Sequence, residues 1–157
     1  MKTFILFLEA KDDNEKMAAG ILFHAKDTGK FGVALRSAKC DTPNHYGTVG
    51  GSLKKGEQPH EAAVRETQEE IGYSIDSDKL EPLDQNKSKN FTYHTYLYHI
   101  NKQSDMKNLD LNDENDKFVW FDLKNPPKPL HPGFAQTLDK TRNKLENLTN
   151  ENRSNLR

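Results

Sequence analysis

Two apolar runs stand out along the chain: residues 18–25, AAGILFHA, and residues 31–36, FGVALR. Both are short and bounded by polar residues, which predicts strands. The stretch between them, Lys26 to Lys30, contains Gly29, so the pair reads as a hairpin. A shorter run, Phe4 to Leu8, predicts a further strand, followed by a charged turn from Lys11 to Lys16. Residues 91–100, FTYHTYLYHI, alternate and are rich in Tyr, Thr and Phe, again a strand. Lys117 to Phe121 is a last short one, and Tyr73 to Ile75 opens another. Ser37 to Tyr46, Asp76 to Asn90 with Pro82, and Asn101 to Asp116 are polar and read as connections.

Two segments have helical periodicity. Pro59 suits a first helical turn and Gly72 the position just past an end. The residues between them are good helix formers. Val64, Thr67 and Ile71, with Ala63 beside them, form the face expected to pack on a sheet. Glu61 and Arg65 are spaced to pair at i, i+4. Further on, the proline-rich stretch Asn125 to Pro132 cannot be helix interior. Gly133 to Leu148 then carries Phe134, Leu138, Leu145 and Leu148 at amphipathic spacing. The tail from Thr149 to Arg157 is polar and expected to fray. Strands, a central helix, more strands and a final helix imply an α/β fold, a mixed sheet covered by helices. No internal repeat interrupts it.

Composition refines this picture in a few places. A chain of 157 residues suits one domain, residues 1–148, followed by the polar tail 149–157. The net charge of −1 calls for neither nucleic acid nor an anionic membrane as partner. An anionic substrate would therefore need a metal or local basic groups. The single cysteine, Cys40, excludes an intrachain disulfide and suits a reducing compartment. The apolar run near the N-terminus is too short for a signal peptide, and no segment approaches the ~20 apolar residues of a membrane span. A cytoplasmic location is expected.

The chemistry concentrates in GGSLKKGEQPHEAAVRETQEEIGY, residues 50–73. Glu66, Glu69 and Glu70 fall on one side of the central helix, and Glu66 and Glu70 repel at i, i+4 by only a few tenths of a kcal/mol. Charge alone would therefore leave a solvated face. The glycine pair Gly50-Gly51 just upstream, with Glu57 between, changes that reading. Glycine lets backbone approach a ligand closely, and several carboxylates with a carbonyl suit Mg²⁺ or Mn²⁺.

The stretch resembles the Nudix box: Gly, five residues, Glu, seven residues, Arg-Glu, an aliphatic residue, any residue, Glu-Glu, any residue, Gly, an aliphatic residue. The fixed letters fall on Gly51, Glu57, Arg65, Glu66, Glu69, Glu70 and Gly72, with every spacing intact. Thr67 and Tyr73 replace the two aliphatic residues. Upstream, Tyr46 to Gly51 stands where many members have Trp, two residues, Pro-Gly-Gly, with Tyr46 in place of the Trp and Val49 in place of the Pro. Phe118 to Leu123 is similar to the late Trp-containing strand of MutT-like members. The resemblance implies a Nudix fold, an α/β/α sandwich with a mixed β-sheet between helices. It implies Mg²⁺- or Mn²⁺-dependent hydrolysis of the diphosphate linkage in a nucleoside diphosphate attached to another group. Glu66 and Glu70 would be the main metal ligands, joined by the Gly50 carbonyl. Glu69 would be a ligand or the general base, and Glu57 and Arg65 would orient the carboxylates. Glu114, six residues before Trp120, stands where some members carry a further Glu that binds metal or acts as base.

The implied partner is a small nucleoside diphosphate derivative, with no membrane and with nucleic acid only as a capped or triphosphorylated RNA end. A monomer or homodimer would suffice. The alternative is a catalytically silent Nudix-fold module that binds nucleotides as a sensor; such modules often lack one of the glutamates, and this chain keeps them all. An isomerase acting on isoprenoid diphosphates would need a catalytic cysteine in a matching context, which Cys40 lacks.

Other candidates are weaker. Arg36, at a strand end before the glycine loop, could hold a phosphate, and Tyr46 could contact substrate. Phe31 and His45 are expected to pack or lie exposed. His94 and His99 point to opposite strand faces and make no joint metal site. Asp110, Asn112, Glu114 and Asp116 alternate like an EF-hand loop. However, Asn115 stands in place of its glycine and Phe121 in place of its last glutamate.

Overall fold

A computed structural model describes residues 15–155. Its centre is β1, Lys16–Ala25. Along its whole length β1 pairs in parallel with β6, Phe91–Ile100, from Lys16 opposite Phe91 to Ala25 opposite Ile100. Its end pairs antiparallel with β2, Phe31–Arg36, and its first half with β4, Val49–Ser52. β2 continues to β3, Tyr46–Gly47, and to β7, Asn115–Phe121. β5, Glu81–Ser88, lies antiparallel on the far side of β6.

The central place of β1 explains its apolar run. A strand covered on both faces has no solvent side to make polar. Ala19, Ile21, Phe23 and Ala25 pack with Ala62, Ala63 and Ile71 of α1, Pro59–Ile71. Leu22 joins the opposite cluster, where Phe31, Val33 and Leu97 meet Phe134, Leu138 and Leu145 of α2, Pro132–Asn155. The mixed sheet therefore lies between two helices. α2 is also pinned to β5: Thr137 Oγ1 donates to Asp84 at 2.8 Å, and Lys140 pairs with Asp84 at 2.9 Å.

α1 has the ends its sequence predicts. Glu61 reaches back to accept from the Gln58 N–H at 2.9 Å, half of a capping box. Gly72 takes φ +67°, the left-handed conformation that closes a helix, and its N–H bonds the Gln68 carbonyl. The buried face differs from the expected one. It comprises Ala62, Ala63, Thr67, Glu70 and Ile71, whereas Val64 is only half-buried. Thr67 is tolerated because its hydroxyl donates to the Ala63 carbonyl one turn back, at 2.8 Å. The Glu61–Arg65 pair does not form, since Glu61 serves the cap and Arg65 is engaged elsewhere.

Three other expectations are corrected. Residues 76–90 are not all connection, because Glu81–Ser88 forms β5. Its mostly exposed residues gave no alternation, and Pro82 fits a sheet edge, where a missing N–H costs little. Tyr73 to Ile75 is not a strand; the Tyr73 ring instead meets Phe23 edge-on at 6.1 Å. The final helix continues beyond Leu148 to Asn155. The expected Phe4 to Leu8 strand lies outside the described residues.

Candidate active site

Arg65 organises the acidic group. Its Nε and Nη2 donate to the two oxygens of Glu57 at 2.8 and 2.9 Å, a bidentate fork. Nη1 donates to Glu66 at 3.0 Å and Glu69 at 3.1 Å, and Nη2 also donates to the Ser52 carbonyl at 3.0 Å. One guanidinium thus ties the end of β4 and Glu57 of the following loop to Glu66 and Glu69 of α1. Only its planar fork of donors can do so. The Glu57 carboxylate also accepts from the Lys54 N–H. The Arg65 hydrogen bonds hold its pKa down at about 2.

The two glycines do different jobs. At Gly50 a Cβ would lie 2.1 Å from the Ala19 carbonyl oxygen, so the side chain is absent because β4 presses on β1. At Gly51 a Cβ would lie 2.6 Å from the Glu66 carboxyl group. Its absence lets that carboxylate lie directly on the strand. Burial pushes the Glu66 carboxyl above the usual range, against the pull of Arg65.

Glu70 is the most constrained of the group. Its residue is 5% exposed. Its Oε1 accepts from Asn115 Nδ2 at 3.2 Å, while Oε2 is buried without a partner. Burial, reinforced by the charges of Glu66 and Glu114 and opposed by Asn115, pushes its pKa up to about 8. An unpartnered buried carboxylate oxygen is costly. A divalent cation would satisfy it, and hard oxygen donors are the right type for Mg²⁺ or Mn²⁺. The residues therefore fit such a cation in kind and in place. Among the described residues, no three acidic, histidine or cysteine side chains already converge on one point as a closed cage. The reason is geometric: Glu66 and Glu69 turn toward Arg65, and Glu70 leans on Asn115.

These side chains open on a cleft of about 820 Å³, lined by Gly50, Gly51, Glu66, Glu69, Glu70 and Glu114 among others. The structure thus brings together Glu66, Glu69, Glu70, Glu114 and Gly50, with Arg65 and Glu57 behind them. Arg36 also lines the cleft, but its guanidinium is held by the Asp41 carboxylate and carbonyl. Tyr46 is not brought to the site. It is absent from the cleft lining and packs on the α2-side cluster beneath Lys117, 5.9 Å from its ring. Alternation on β3 turns Gly47, its neighbour, to the cleft instead. Phe31 is fully buried, and His45 Nδ1 bonds the Pro43 carbonyl.

Sequence reasoning missed three contributors. Asn115 donates to the Glu70 carboxylate, and nothing in a lone loop asparagine signals that. Tyr93 and Thr48 join their hydroxyls at 2.7 Å on the cleft wall. Gly20 makes room for them, because a Cβ there would lie 2.1 Å from Tyr93 Oη. Strand alternation in FTYHTYLYHI could have placed Tyr93 and Thr95 on one face; it could not say which.

A mixed sheet between two helices, with the acidic face of one helix lining a cleft, defines the class as an α/β sandwich. The chain belongs to the Nudix family, whose NUDIX domain profile matches residues 15–141. Its fold is similar to a MutT Nudix hydrolase from Burkholderia pseudomallei, with TM-score 0.64, 18% identity, and coverage of 80% of this chain and 96% of that one. It is also similar to the Nudix hydrolase RenU from M. smegmatis, with TM-score 0.67, 21% identity and coverage of 85% and 87%. An Ap4A hydrolase from C. elegans gives TM-score 0.62, 24% identity and coverage of 84% and 98%. By sequence it is 28% identical over 79 residues to the dihydroneopterin triphosphate diphosphatase of Escherichia coli K12. That match covers 50% of this chain, which spans about half the length of the curated relatives it matches, 51% here.

Proposed function

We propose that this protein is a divalent-cation-dependent pyrophosphohydrolase. It cleaves the diphosphate linkage of a nucleoside diphosphate joined to another group. The observation that carries this is the buried, unpartnered Oε2 of Glu70 beside Glu66 and Glu114. A structural helix has no use for that arrangement, whereas a cation-binding one requires it.

Glu66 and Glu70, with the Gly50 carbonyl, would hold the cation, and Glu69 and Glu114 are the remaining acidic groups at the cleft. When bound, Mg²⁺ or Mn²⁺ supplies charge neutralisation for the diphosphate and a lowered pKa for water. The chain's own residues do the rest. Arg65 fixes the rotamers of Glu66 and Glu69, so both carboxylates are held at the edge of the cleft before substrate arrives. Glu57 holds Arg65 in turn. Gly51 lets the Glu66 carboxylate sit against the strand. Glu69 or Glu114, both facing the cleft, takes the proton from the attacking water. The bonded Tyr93 and Thr48 hydroxyls leave one O–H free to donate to a phosphate oxygen on the same wall.

The test is a phosphate-release screen with Mg²⁺ and with Mn²⁺. Its substrates are nucleoside triphosphates, dinucleoside polyphosphates, nucleotide sugars, capped RNA and dihydroneopterin triphosphate; the last and the dinucleotides are suggested by the names of similar proteins. Metal-dependent release from at least one class is expected. A folded protein that binds nucleotides and releases nothing would favour a sensor module instead.

A further inference from the structure

The alternating stretch Asp110, Asn112, Glu114 and Asp116 lies against the C-terminal turn of α1. The Asp110 N–H donates to the Ile71 carbonyl at 3.0 Å, and the Asn112 N–H to the Glu70 carbonyl at 2.9 Å. The last carbonyls of a helix find no partner inside it, so this stretch satisfies two of them. On its other side Ser37 fastens it. The Ser37 N–H donates to the Glu114 carbonyl at 2.8 Å, and its hydroxyl to the Asp113 carbonyl at 2.7 Å. The backbone that carries Glu114 and Asn115 is therefore fixed both from α1 and from the loop after β2.

Asn115 reaches Glu70 through an irregularity in β7. Phe118 and Trp120 pack on the α1-side cluster, whereas Val119 and Phe121 pack on the α2-side one. Simple alternation would send Asn115 the α2 way, with Val119 and Phe121. Instead the register with β2 slips. Leu35 lies opposite Lys117 but Arg36 lies opposite Asn115, so Asp116 is an extra residue. Such a bulge re-aims the side chain beside it. Here it turns the Asn115 amide to α1, where the residue is 8% exposed.

The backbone also sets which way that amide faces. The Glu114 N–H can only donate, so the atom it meets at 3.0 Å is the carbonyl oxygen of the Asn112 side chain. That oxygen accepts in turn from Asn115 Nδ2 at 3.3 Å, and Nδ2 also donates to Glu70 Oε1 at 3.2 Å. Asn115 is thus an obligate donor to Glu70, with both amide protons committed. Glu70 Oε1 is held, while Oε2 stays buried and open.

We infer that Asn115 is a positioning residue for the cation site: it occupies one oxygen of Glu70 and so reserves the other for the divalent cation. Asn112 sets Asn115, and the same Asn112 oxygen caps the Glu114 N–H, so one turn of chain aims both carboxylates. Asn115 acts through Glu70 and takes no part in the chemical step. This rests on the proposed hydrolytic reading for the presence of a cation, but not for the cleavage itself. A partner that orients a metal-binding carboxylate governs affinity almost as strongly as a ligand does.

The experiment uses the full chain without substrate and has two readouts. The first is calorimetric titration of Mn²⁺ into wild type and Asn115→Leu, with a thermal melt of each. Leucine has about the size of the amide and no donor. Asn115→Leu is expected to weaken Mn²⁺ binding about tenfold or more. A merely structural role would lower the melting temperature and leave Mn²⁺ affinity unchanged. The second readout needs only the wild type: heteronuclear NMR of the Asn115 side-chain amide as Mg²⁺ is added. That signal should move in step with Mg²⁺ occupancy, which decides the case even if Asn115→Leu does not fold. Equal Mn²⁺ affinity in a folded Asn115→Leu, or an Asn115 amide signal unmoved at saturating Mg²⁺, would overturn the inference. A wild type that binds neither cation would overturn it together with the hydrolytic reading. The expected loss of Mn²⁺ affinity, with no phosphate released from any substrate, would uphold the inference and count against the hydrolytic reading alone.

Discussion

Gly50 and Gly51 are adjacent, yet the structure gives them opposite sensitivities. A methyl at Gly50 runs into the backbone of β1, which cannot give way cheaply. A methyl at Gly51 runs into the Glu66 carboxyl group, the movable end of a side chain. Gly50→Ala should therefore lower the melting temperature markedly, whereas Gly51→Ala should leave melting nearly unchanged and cut turnover. Parallel thermal melts and rate measurements check the split. Glu57 makes a second prediction at this scale. Its pKa is depressed to about 2 in the fold by Arg65, below the value of about 4.3 expected in an unfolded chain. The unfolded state therefore binds the proton first. The stability it contributes is present above pH ~4.3 and is lost as pH falls toward 2. Glu57→Gln should flatten the denaturant-unfolding curve over that window.

Between elements, the parallel contact of β1 with β6 carries a second pH dependence. His24 and His99 lie opposite each other, and their Nδ1 atoms are 2.8 Å apart, so one donates and the other accepts. His24 is 2% exposed, packs on Phe31, and leaves Nε2 buried without a partner. Burial, with His99 and Lys26 nearby, lowers its pKa to about 4; Glu81 faces the other nitrogen of His99 at 3.3 Å. Because the folded value lies below the unfolded value near 6.5, the unfolded chain takes the proton first. Stability is full above pH ~6.5 and falls as pH drops through 4, by up to ~3 kcal/mol. Urea unfolding of wild type and His24→Phe at pH 7 and pH 5 should show the larger pH loss in the wild type. This pairing also marks how far the sequence was legible at the scale of elements. FTYHTYLYHI showed a strand, but its partner is a matter of register that no local pattern carries. β5 was hidden for the opposite reason: an exposed edge strand needs no apolar alternation, so EPLDQNKS looked like a connection.

Over the whole molecule, the site is assembled from α1, the glycine strand β4, the end of β6 and the loop before β7. The α1 contribution was readable because spacing along one helix is fixed by its pitch. Glu57 and Gly51 were readable because the loop joining β4 to α1 is short. Asn115, Tyr93 and Thr48 were not, because they reach the cleft only once β1 gathers its neighbours. Burial of Glu70 was also unreadable, since a glutamate on a charged helix looks exposed until Asn115 and β6 cover it. No helix among the described residues is long and apolar enough to cross a membrane. The central claim is that the Glu70 carboxylate serves a divalent cation that drives diphosphate cleavage. The most direct measurement compares phosphate release by wild type and Glu70→Gln, a change that keeps shape and the Asn115 contact, with Mg²⁺ or Mn²⁺ and with chelator. Release is expected only with metal, with a loss of at least about a hundredfold in Glu70→Gln. Wild-type rates in that variant, or release undiminished by chelator, would contradict it.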